Sequence, residues 1–148
     1  MPSARVIVDT NVLISRLLLP QSVAGRVVSR LVRNTRLLVS EDTLAELAQT
    51  ISREKFNRYV SLEDRQEFFH LYARLAEWVP ISTTLRVSRD PGDDKFLELA
   101  VDGQAQLMMT GDKDLLELSP YKNVRILAPA EVLALPDAAL MADNGDLR

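Results

Sequence analysis

The chain has 148 residues, of which 47% are hydrophobic and 26% charged, a composition typical of one globular domain with one core. It has no cysteine and one histidine, which excludes disulfides, thiolate metal sites and histidine-rich zinc clusters, so we expect any metal to be held by oxygen. The net charge of −3 is uneven, because residues 1–60 contain nine Lys or Arg and five Asp or Glu, whereas residues 61–148 contain nine and sixteen.

Hydrophobic periodicity predicts strands that alternate with helices in the first half of the chain. A short apolar run predicts a strand at Arg5–Val8, and apolar residues at helical spacing predict an amphipathic helix over residues 24–32. A second strand is predicted at Arg36–Val39 and a second helix over residues 44–51. No apolar run is long enough to cross a bilayer, and the first ten residues lack the pattern of a signal peptide, so we expect a cytoplasmic protein.

The alternation continues in the second half. Its predicted elements are a long helix that ends near Pro80, a short helix over residues 96–101, strands over residues 106–109 and 124–127, and a helical turn at Pro129–Leu133. Trp78, Met108 and Met109 are expected in the core. The periodicity stops at residue 136, so we predict one domain over residues 1–135 and a flexible tail over residues 136–148. This order of elements predicts an α/β fold, with a mainly parallel sheet flanked by helices.

Polar side chains stand at the ends of three predicted strands. Asp9 follows the first strand and Ser40 the second, and Thr110, Asp112 and Asp114 follow the strand over residues 106–109. Sites in open parallel sheets form at the carboxyl ends of the strands. Taken singly, each of these residues is better explained as a helix N-cap, but their occurrence at three strand ends favours a site.

Helical spacing indicates further carboxylates outside the apolar faces. Glu46 lies about 150° from the apolar stripe of its helix at 100° per residue. Asp94 and Glu98 are spaced i, i+4 on the face opposite the apolar arc of the next short helix, where a solvated helix start is the alternative interpretation. Asp90 and Asp93 are interpreted as turn formers and helix caps, with Asp93 also a weaker candidate for the site.

Convergence of Asp9, Glu46, Asp94 and Asp112 would bring several negative charges together. Such repulsion is tolerable only if some carboxyls are protonated or if a hard cation lies among them. An all-oxygen ligand set favours Mg²⁺ or Mn²⁺. These ions bridge phosphate oxygens and lower the pKa of bound water, so the pattern points to phosphoester hydrolysis.

Four segments of the sequence resemble the motifs of PIN-domain nucleases. They are IVDTNVL at residues 7–13, the segment from Ser40 to Leu47, Asp94 with the following FLELA, and TGDKDL at residues 110–115. In this order they span residues 5–133. The variant with RDPGDDKFLELA and TGDKDLL is similar to bacterial PIN proteins described as toxins of toxin–antitoxin pairs.

The resemblance implies a PIN-like α/β/α sandwich with Mg²⁺- or Mn²⁺-dependent endoribonuclease activity on single-stranded RNA. It also implies a homodimer or higher even oligomer that a small antitoxin protein holds inactive. By the same resemblance, the catalytic and metal-binding acids are Asp9, Glu46, Asp94 and Asp112, with Asp114 and Glu98 as further possible metal ligands and Asn11, Ser40 and Thr110 as supporting residues.

Two groups of basic residues are candidates for contact with RNA phosphates. The first is Arg26, Arg30 and Arg33 on the helix over residues 24–32, and the second is Arg53, Lys55 and Arg58 after the following helix. The second group is the better candidate, because Phe56 and Tyr59 accompany it and aromatic rings stack on bases. Both groups are also compatible with ordinary solvated surfaces.

Two other functions fit parts of the pattern. A phosphatase of the haloacid-dehalogenase type would use Asp9 as its nucleophile, but Asn11 stands where such an enzyme needs a second Asp, and an amide cannot act as a general acid. A catalytically silent interaction module would use the acids to bind a basic partner. Intact acids at all four motif positions favour the nuclease.

Overall fold

The computed structural model describes residues 3–140. Within them the strands are β1 (Arg5–Val8), β2 (Arg36–Val39), β3 (Glu77–Trp78), β4 (Leu107–Met109) and β5 (Arg125–Leu127). They form a sheet in the order β3-β2-β1-β4-β5, and each neighbouring pair is parallel. Val6 is in register with Leu37 on one side and Leu107 on the other. The predicted parallel α/β fold is confirmed.

The strands are connected by helices. Over the same residues these are α1 (Thr10–Leu18), α2 (Val23–Asn34), α3 (Glu41–Ile51), α4 (Leu62–Leu75), α5 (Asp94–Asp102), α6 (Lys113–Leu116), α7 (Pro129–Leu133) and α8 (Asp137–Leu140). In this part of the chain, none of them combines the length and the apolar character that a membrane span requires.

Alternate side chains of the strands pack on opposite faces of the sheet. In β1, Val6 and Val8 join the apolar cluster that contains residues of α1 to α4, whereas Ile7 joins the cluster on the other face, beneath α5 and α6. Leu38 and Met108 take the same face as Ile7. Because side chains of a strand alternate across the sheet, a sheet buried on both faces needs the nearly continuous apolar runs found here.

The strand order changes direction between β1 and β4. The chain moves from β1 outward through β2 to β3, and then crosses to the other side of β1 to enter β4. Such a switch point leaves a crevice at the carboxyl ends of the two strands. Asp9 follows β1 and Thr110 follows β4, so the fold brings the first and fourth sequence motifs together.

The structure differs from the sequence prediction after α4. The helix ends at Leu75, before the predicted end near Pro80, and Glu77 and Trp78 form the edge strand β3 beside β2. Trp78 was predicted to lie in the core but is 58% exposed, so that prediction is wrong. Met108 and Met109 are fully buried, as predicted. Periodicity could not separate the end of α4 from a two-residue strand, because β3 is defined only by its pairing with Leu38 and Val39.

The predicted tail is also shorter than expected. Asp137–Leu140 is helical, Leu140 is fully buried, and its carbonyl accepts a hydrogen bond from the Ala4 amide. Arg30 holds this part of the chain in place through Asp137 and the Leu135 carbonyl, at 2.7 and 2.6 Å. The tail prediction is therefore wrong for residues 137–140, while residues 141–148 lie outside the described part of the chain.

Gly25 of α2 is predicted to be intolerant of a side chain. A Cβ there would lie 2.5 and 2.6 Å from the carbonyl oxygens of Pro20 and Leu19. Although Gly to Ala inside a helix is normally stabilising, we expect Gly25→Ala to lower the free energy of unfolding by about 1–3 kcal/mol through overpacking. Urea denaturation measures the effect. Gly111→Ala, whose Cβ would meet nothing within 4 Å, is the control, and equal stability of the two variants would contradict the prediction.

Candidate active site

The Asp9 carboxylate lies at the centre of the candidate site. Asp9 follows β1 at the N-cap position of α1 and is only 7% exposed. Its backbone amide donates a hydrogen bond to the Met109 carbonyl of β4. The Thr110 hydroxyl donates a 2.6 Å hydrogen bond to Asp9 Oδ2. Burial raises the pKa of Asp9, the Thr110 hydrogen bond opposes this, and the charges of Glu46 and Asp112 raise the pKa further.

The TGDKD motif forms a turn that presents Asp112 beside Asp9. The Thr110 hydroxyl accepts a hydrogen bond from the Asp112 amide at 3.0 Å, and Asp112 Oδ1 accepts one from the Asp114 amide at 2.8 Å. Asp112 is thus both the N-cap of α6 and a neighbour of Asp9. The Thr110 hydroxyl thus links the Asp9 carboxylate to the backbone of Asp112.

Glu46 reaches the same crevice from α3. The Thr10 hydroxyl donates to Glu46 Oε2, and Lys95 Nζ lies 3.0 Å from Glu46 Oε1. Glu46 is close enough to Asp9 for its negative charge to raise the pKa of Asp9. Sequence reasoning did not predict Thr10 or Lys95, although each directly follows a predicted acid in the chain.

The fourth carboxylate of the cluster comes from Asp93. Burial together with the negative charges of Asp112, Asp9 and Asp90 raises the pKa of Asp93 to about 7. Its Oδ2 atom is buried, and a hydrogen bond between the side chains of Asp93 and Asp112 also raises the pKa of Asp93. Asp93 therefore belongs to the group that Asp9, Asp112 and Glu46 form, a position that the sequence analysis gave to Asp94.

Asp94 is directed elsewhere. Its Oδ1 atom accepts hydrogen bonds from the backbone amides of Val87 and Ser88, at 3.1 and 2.7 Å. Burial acts to raise the pKa of Asp94, but these hydrogen bonds outweigh it and hold the pKa below its ordinary value. The structure does not bring Asp94 to Asp9, and we replace it by Asp93 in the candidate site.

Two more carboxylates of α5 have the same role as Asp94. Glu98 Oε2 accepts from the Leu85 amide at 2.9 Å, and Asp102 Oδ2 accepts from the amides of Ser82 and Thr83 at 2.7 and 3.0 Å. Residues 82–88, here called the amide-bound segment, thus lie along a row of acids at i, i+4 and i+8. The predicted common face of Asp94 and Glu98 is correct, but backbone N–H groups occupy it, which makes Glu98 a poor candidate for metal binding.

The remaining predicted residues have local roles or surface positions. Ser40 is buried and caps α3, where its hydroxyl accepts from the Thr43 amide. Asn11 is exposed on α1, and Asp114 is half-buried in the first turn of α6. Of these, Asp114 lies nearest to the acid cluster through its hydrogen bond to Asp112.

The basic candidates are distributed over distant parts of the surface. Arg30 is held by Asp137 and by backbone carbonyls of residues 132–135, which leaves it unsuited to bind RNA. Arg53, Lys55 and Arg58 are exposed after the last residue of α3. Glu46, the α3 residue that reaches the site, is five residues before the last residue of α3, so at 1.5 Å per residue that end of the helix is about 8 Å from Glu46 along the axis.

Comparison with known proteins identifies the family. The sequence model of the PIN domain matches residues 5–114, a range that contains Asp9, Glu46, Asp93 and Asp112. The chain belongs to the PIN-domain family. It is 29% identical over 117 residues to the uncharacterized protein MJ1680 of Methanocaldococcus jannaschii. The matched region covers 77% of this chain and 74% of that protein.

Solved structures show the same fold. The PIN-domain chain is similar to a chain of VapBC2 from Rickettsia felis, whose crystal structure is bound to a DNA fragment from its promoter. The TM-score is 0.59 and the identity 16%, and the match covers 84% of this chain and 98% of that chain. It is also similar to PAE2754 from Pyrobaculum aerophilum, with a TM-score of 0.59, 13% identity and coverage of 89% and 91%.

The hydrogen bonds of Asp102 predict a pH-dependent contribution to stability. The Thr83 hydroxyl and the amides of Thr83 and Ser82 lower the pKa of Asp102 from its ordinary value of 3.8. A lowered pKa in the folded state stabilises the protein above pH 3.8, and this contribution is lost as the pH falls below that value.

We therefore expect Asp102→Asn to lower the free energy of unfolding by about 1–2 kcal/mol at pH 7, with a smaller difference from the parent at pH 3. Denaturant titrations at the two pH values measure it. Asp64→Asn, an exposed acid in the first turn of α4, is the control. A difference that stays constant from pH 7 to pH 3 would contradict the assigned ionic hydrogen bonds.

Proposed function

We propose that this PIN-domain protein is a divalent-metal-dependent endoribonuclease that cleaves single-stranded RNA and acts as the toxin of a toxin–antitoxin pair. The observation that carries the proposal is the position of Asp93, whose carboxyl lies beside Asp112 and Asp9. Burial, and after it the charges of these two acids, raises the pKa of Asp93 to about 7. Repulsion among carboxylates lowers folding stability, and carboxyl groups with strongly shifted pKa values cluster at functional sites.

The donor set fits Mg²⁺ or Mn²⁺. Within residues 3–140, no group of three or more acids or histidines is spaced to enclose a metal ion as it stands. However, the acids of the crevice offer only oxygen donors, and one of them, Asp93 Oδ2, is buried in a carboxyl that lies beside Asp112 and Asp9. Hard divalent cations prefer such ligands. Asp9, Asp93, Asp112 and Glu46 are the residues that would hold the metal.

When bound, Mg²⁺ or Mn²⁺ polarises phosphate oxygens and makes a coordinated water more acidic. The protein supplies the alignment of the acids. Thr110 orients the carboxylate of Asp9 and, through its hydroxyl, the backbone of Asp112. Thr10 and Lys95 orient the two oxygens of Glu46. The raised pKa of Asp93 would fall again with a cation bound beside it, because a nearby positive charge favours the ionised carboxylate.

Removal of a single carboxylate of the cluster should abolish catalysis. We expect Asp9→Asn and Asp93→Asn to lower the rate of RNA cleavage in Mn²⁺ by at least about 100-fold, because each substitution removes a carboxylate that would hold the metal. Both variants should remain folded, because each relieves repulsion. The assay compares gel-resolved cleavage of mixed single-stranded RNA and DNA, in Mn²⁺ and in EDTA.

Asp64→Asn is the matched control for that assay, since Asp64 is exposed on α4 away from the crevice. Calorimetric titration with Mn²⁺ gives a second readout, in which Asp93→Asn should bind the metal more weakly than the parent. Cleavage at the parental rate by folded Asp9→Asn would overturn the nuclease proposal. Parental Mn²⁺ affinity in Asp93→Asn would overturn the assignment of Asp93.

A protein partner is part of the proposal. The chain has the fold of a VapBC2 chain, and the notion of a small antitoxin follows from that likeness and from the sequence motifs. Leu71 and Leu75 lie one turn apart on α4 and are about half exposed, and the exposed Trp78 contacts the nearby Ala73 carbonyl. We propose that this apolar patch is buried in a homodimer. A cytoplasmic location stays a prediction.

The double substitution Leu71→Glu with Leu75→Glu is expected to convert the protein to a monomer, because it places two charges in the proposed interface. Light scattering after size-exclusion chromatography measures the mass. Leu62→Glu changes a similarly exposed leucine two and a half turns from Leu71, on the opposite side of α4, and should leave the mass unchanged. A parent that is monomeric, or a double variant with the parental mass, would contradict the assigned interface.

The two alternative functions are not favoured. The family match explains the acids without a phosphatase mechanism, and Asn11 remains an exposed amide that cannot serve as a general acid. A silent interaction module gives no reason to hold Asp93 and Asp9 at a raised pKa inside a crevice.

A further inference from the structure

Four arginine side chains line one pocket on the surface that α1, α2 and α7 form, here called the arginine pocket. It has a volume of about 420 Å³, and its arginines are Arg16 of α1 and Arg26, Arg30 and Arg33 of α2. None of the described residues that line it is an acid, although the chain as a whole has a net charge of −3. A cleft lined by one sign of charge concentrates ions of the opposite sign. The arginine pocket is therefore suited to an anion.

Two of these arginines present unpaired charge. Arg26 and Arg33 are exposed, and among residues 3–140 neither of them forms an ion pair. They are seven residues apart on α2, so they lie on the same side of the helix, about 10 Å from each other along its axis. Arg30 lies between them, but Asp137 neutralises it and backbone carbonyls take its other N–H groups. Arg26 and Arg33 thus remain available to a ligand.

Arg16 adds a third cation from the neighbouring helix. Its Nε donates a 3.0 Å hydrogen bond to the Ser29 hydroxyl, and that hydroxyl donates to the Gly25 carbonyl at 3.2 Å. A guanidinium group has five N–H donors, so the bond to Ser29 leaves four for another partner. Within the described part of the chain, no acid pairs with Arg16. Because Ser29 already fixes this side chain, less conformational entropy is lost when a ligand binds it.

We propose that the arginine pocket binds the phosphate backbone of the RNA substrate, with Arg16, Arg26 and Arg33 as the phosphate ligands. The inference rests on the proposed nuclease function and adds the surface that holds the strand. Guanidinium groups bind phosphate oxygens through paired N–H donors. Arg16 is seven residues after Asp9, the N-cap of α1, which is about 10 Å along the helix axis. At 3.4 Å per nucleotide this corresponds to about three nucleotides, so one strand can contact both the pocket and the acids.

An acidic segment of a protein partner is the competing ligand. Interfaces between proteins are centred on buried apolar or aromatic anchors. The described lining of the arginine pocket contains no aromatic ring, and its apolar residues are Pro20 and Leu133. Guanidinium groups at several points of one surface instead match a chain with a phosphate at every nucleotide. The lining therefore favours the RNA backbone.

The test measures fluorescence anisotropy of a labelled single-stranded RNA with the full-length protein in EDTA, at several salt concentrations. Each contact between a cation and a phosphate of single-stranded nucleic acid contributes about 0.7 to the slope of log K against log salt. Arg26→Gln combined with Arg33→Gln removes two contacts, so it should lower the slope by about 1.4 and weaken binding about 25-fold at 0.1 M salt. Arg16→Gln should lower the slope by about 0.7.

Arg74→Gln combined with Lys122→Gln is the matched control. Both residues are exposed and lie outside the arginine pocket, so this variant loses the same charge from another part of the surface and should keep the parental slope. Arg26→Lys combined with Arg33→Lys should also keep the slope, because it preserves both charges. Thermal unfolding should be the same for the parent and for the variants at positions 26 and 33, whose side chains are exposed and unpaired.

The arginine pocket is refuted as an RNA site if the parent does not bind RNA, if the double glutamine variant at positions 26 and 33 keeps the parental slope, or if the control loses as much slope. Displacement of the labelled RNA by polyglutamate as readily as by unlabelled RNA would also overturn it, since the pocket would then recognise an acidic polypeptide. Cleavage by the parent in Mn²⁺ is measured separately. Cleavage without a contribution of the arginines to binding refutes only the pocket, whereas absence of cleavage refutes the nuclease.

Discussion

A buried carboxylate at the end of the central strand sets the conditions for the rest of the site. Asp9 lies where β1 and β4 end side by side, and the Thr110 hydroxyl is its close donor. A buried charge is costly unless its surroundings compensate it, and Asp112 and Glu46 add to the negative charge around Asp9. The crevice is therefore a place where the fold maintains electrostatic strain, and a bound cation would relieve it.

The acids of α5 divide into two groups with opposite surroundings. Asp94, Glu98 and Asp102 accept hydrogen bonds from an extended segment that has no strand partner for its amides, and they satisfy the requirement that backbone donors be paired. Asp93 lies one residue earlier and faces other carboxylates. The two adjacent acids thus have opposite pKa shifts, because backbone amides donate to Asp94 whereas Asp93 is buried among other carboxylates.

The two groups depend on each other. The amide-bound segment leads from the edge strand β3 to the turn before α5, so its attachment to α5 determines where that turn begins. Within the turn, Asp90 accepts a hydrogen bond from the Gly92 amide, and the Asp93 amide donates to the Asp90 carbonyl. The structural acids therefore position the segment from which Asp93 reaches Asp9 and Asp112. This coupling explains how one short helix can serve both packing and a candidate active site.

Much of the fold could be predicted from local pattern. The strands at Arg5–Val8 and Arg36–Val39 were predicted at their observed bounds, because a strand buried on both faces is a continuous apolar run. The edge strand β3 and the helix α8 could not be predicted in this way. Each is short and is stabilised by a distant part of the chain, β3 by β2 and α8 by Ala4 and Arg30.

The sequence by itself determined the chemistry of the site, because Asp9, Thr110 and Asp112 follow strands and parallel strands end at one edge of the sheet. Only the tertiary structure decided between Asp93 and Asp94. Helical periodicity identifies the polar face of α5 but cannot say whether solvent, a metal or another part of the chain covers that face. The backbone amides of Val87 and Ser88, seven and six residues earlier in the chain, donate to Asp94, and Asp93 is left to face the cluster.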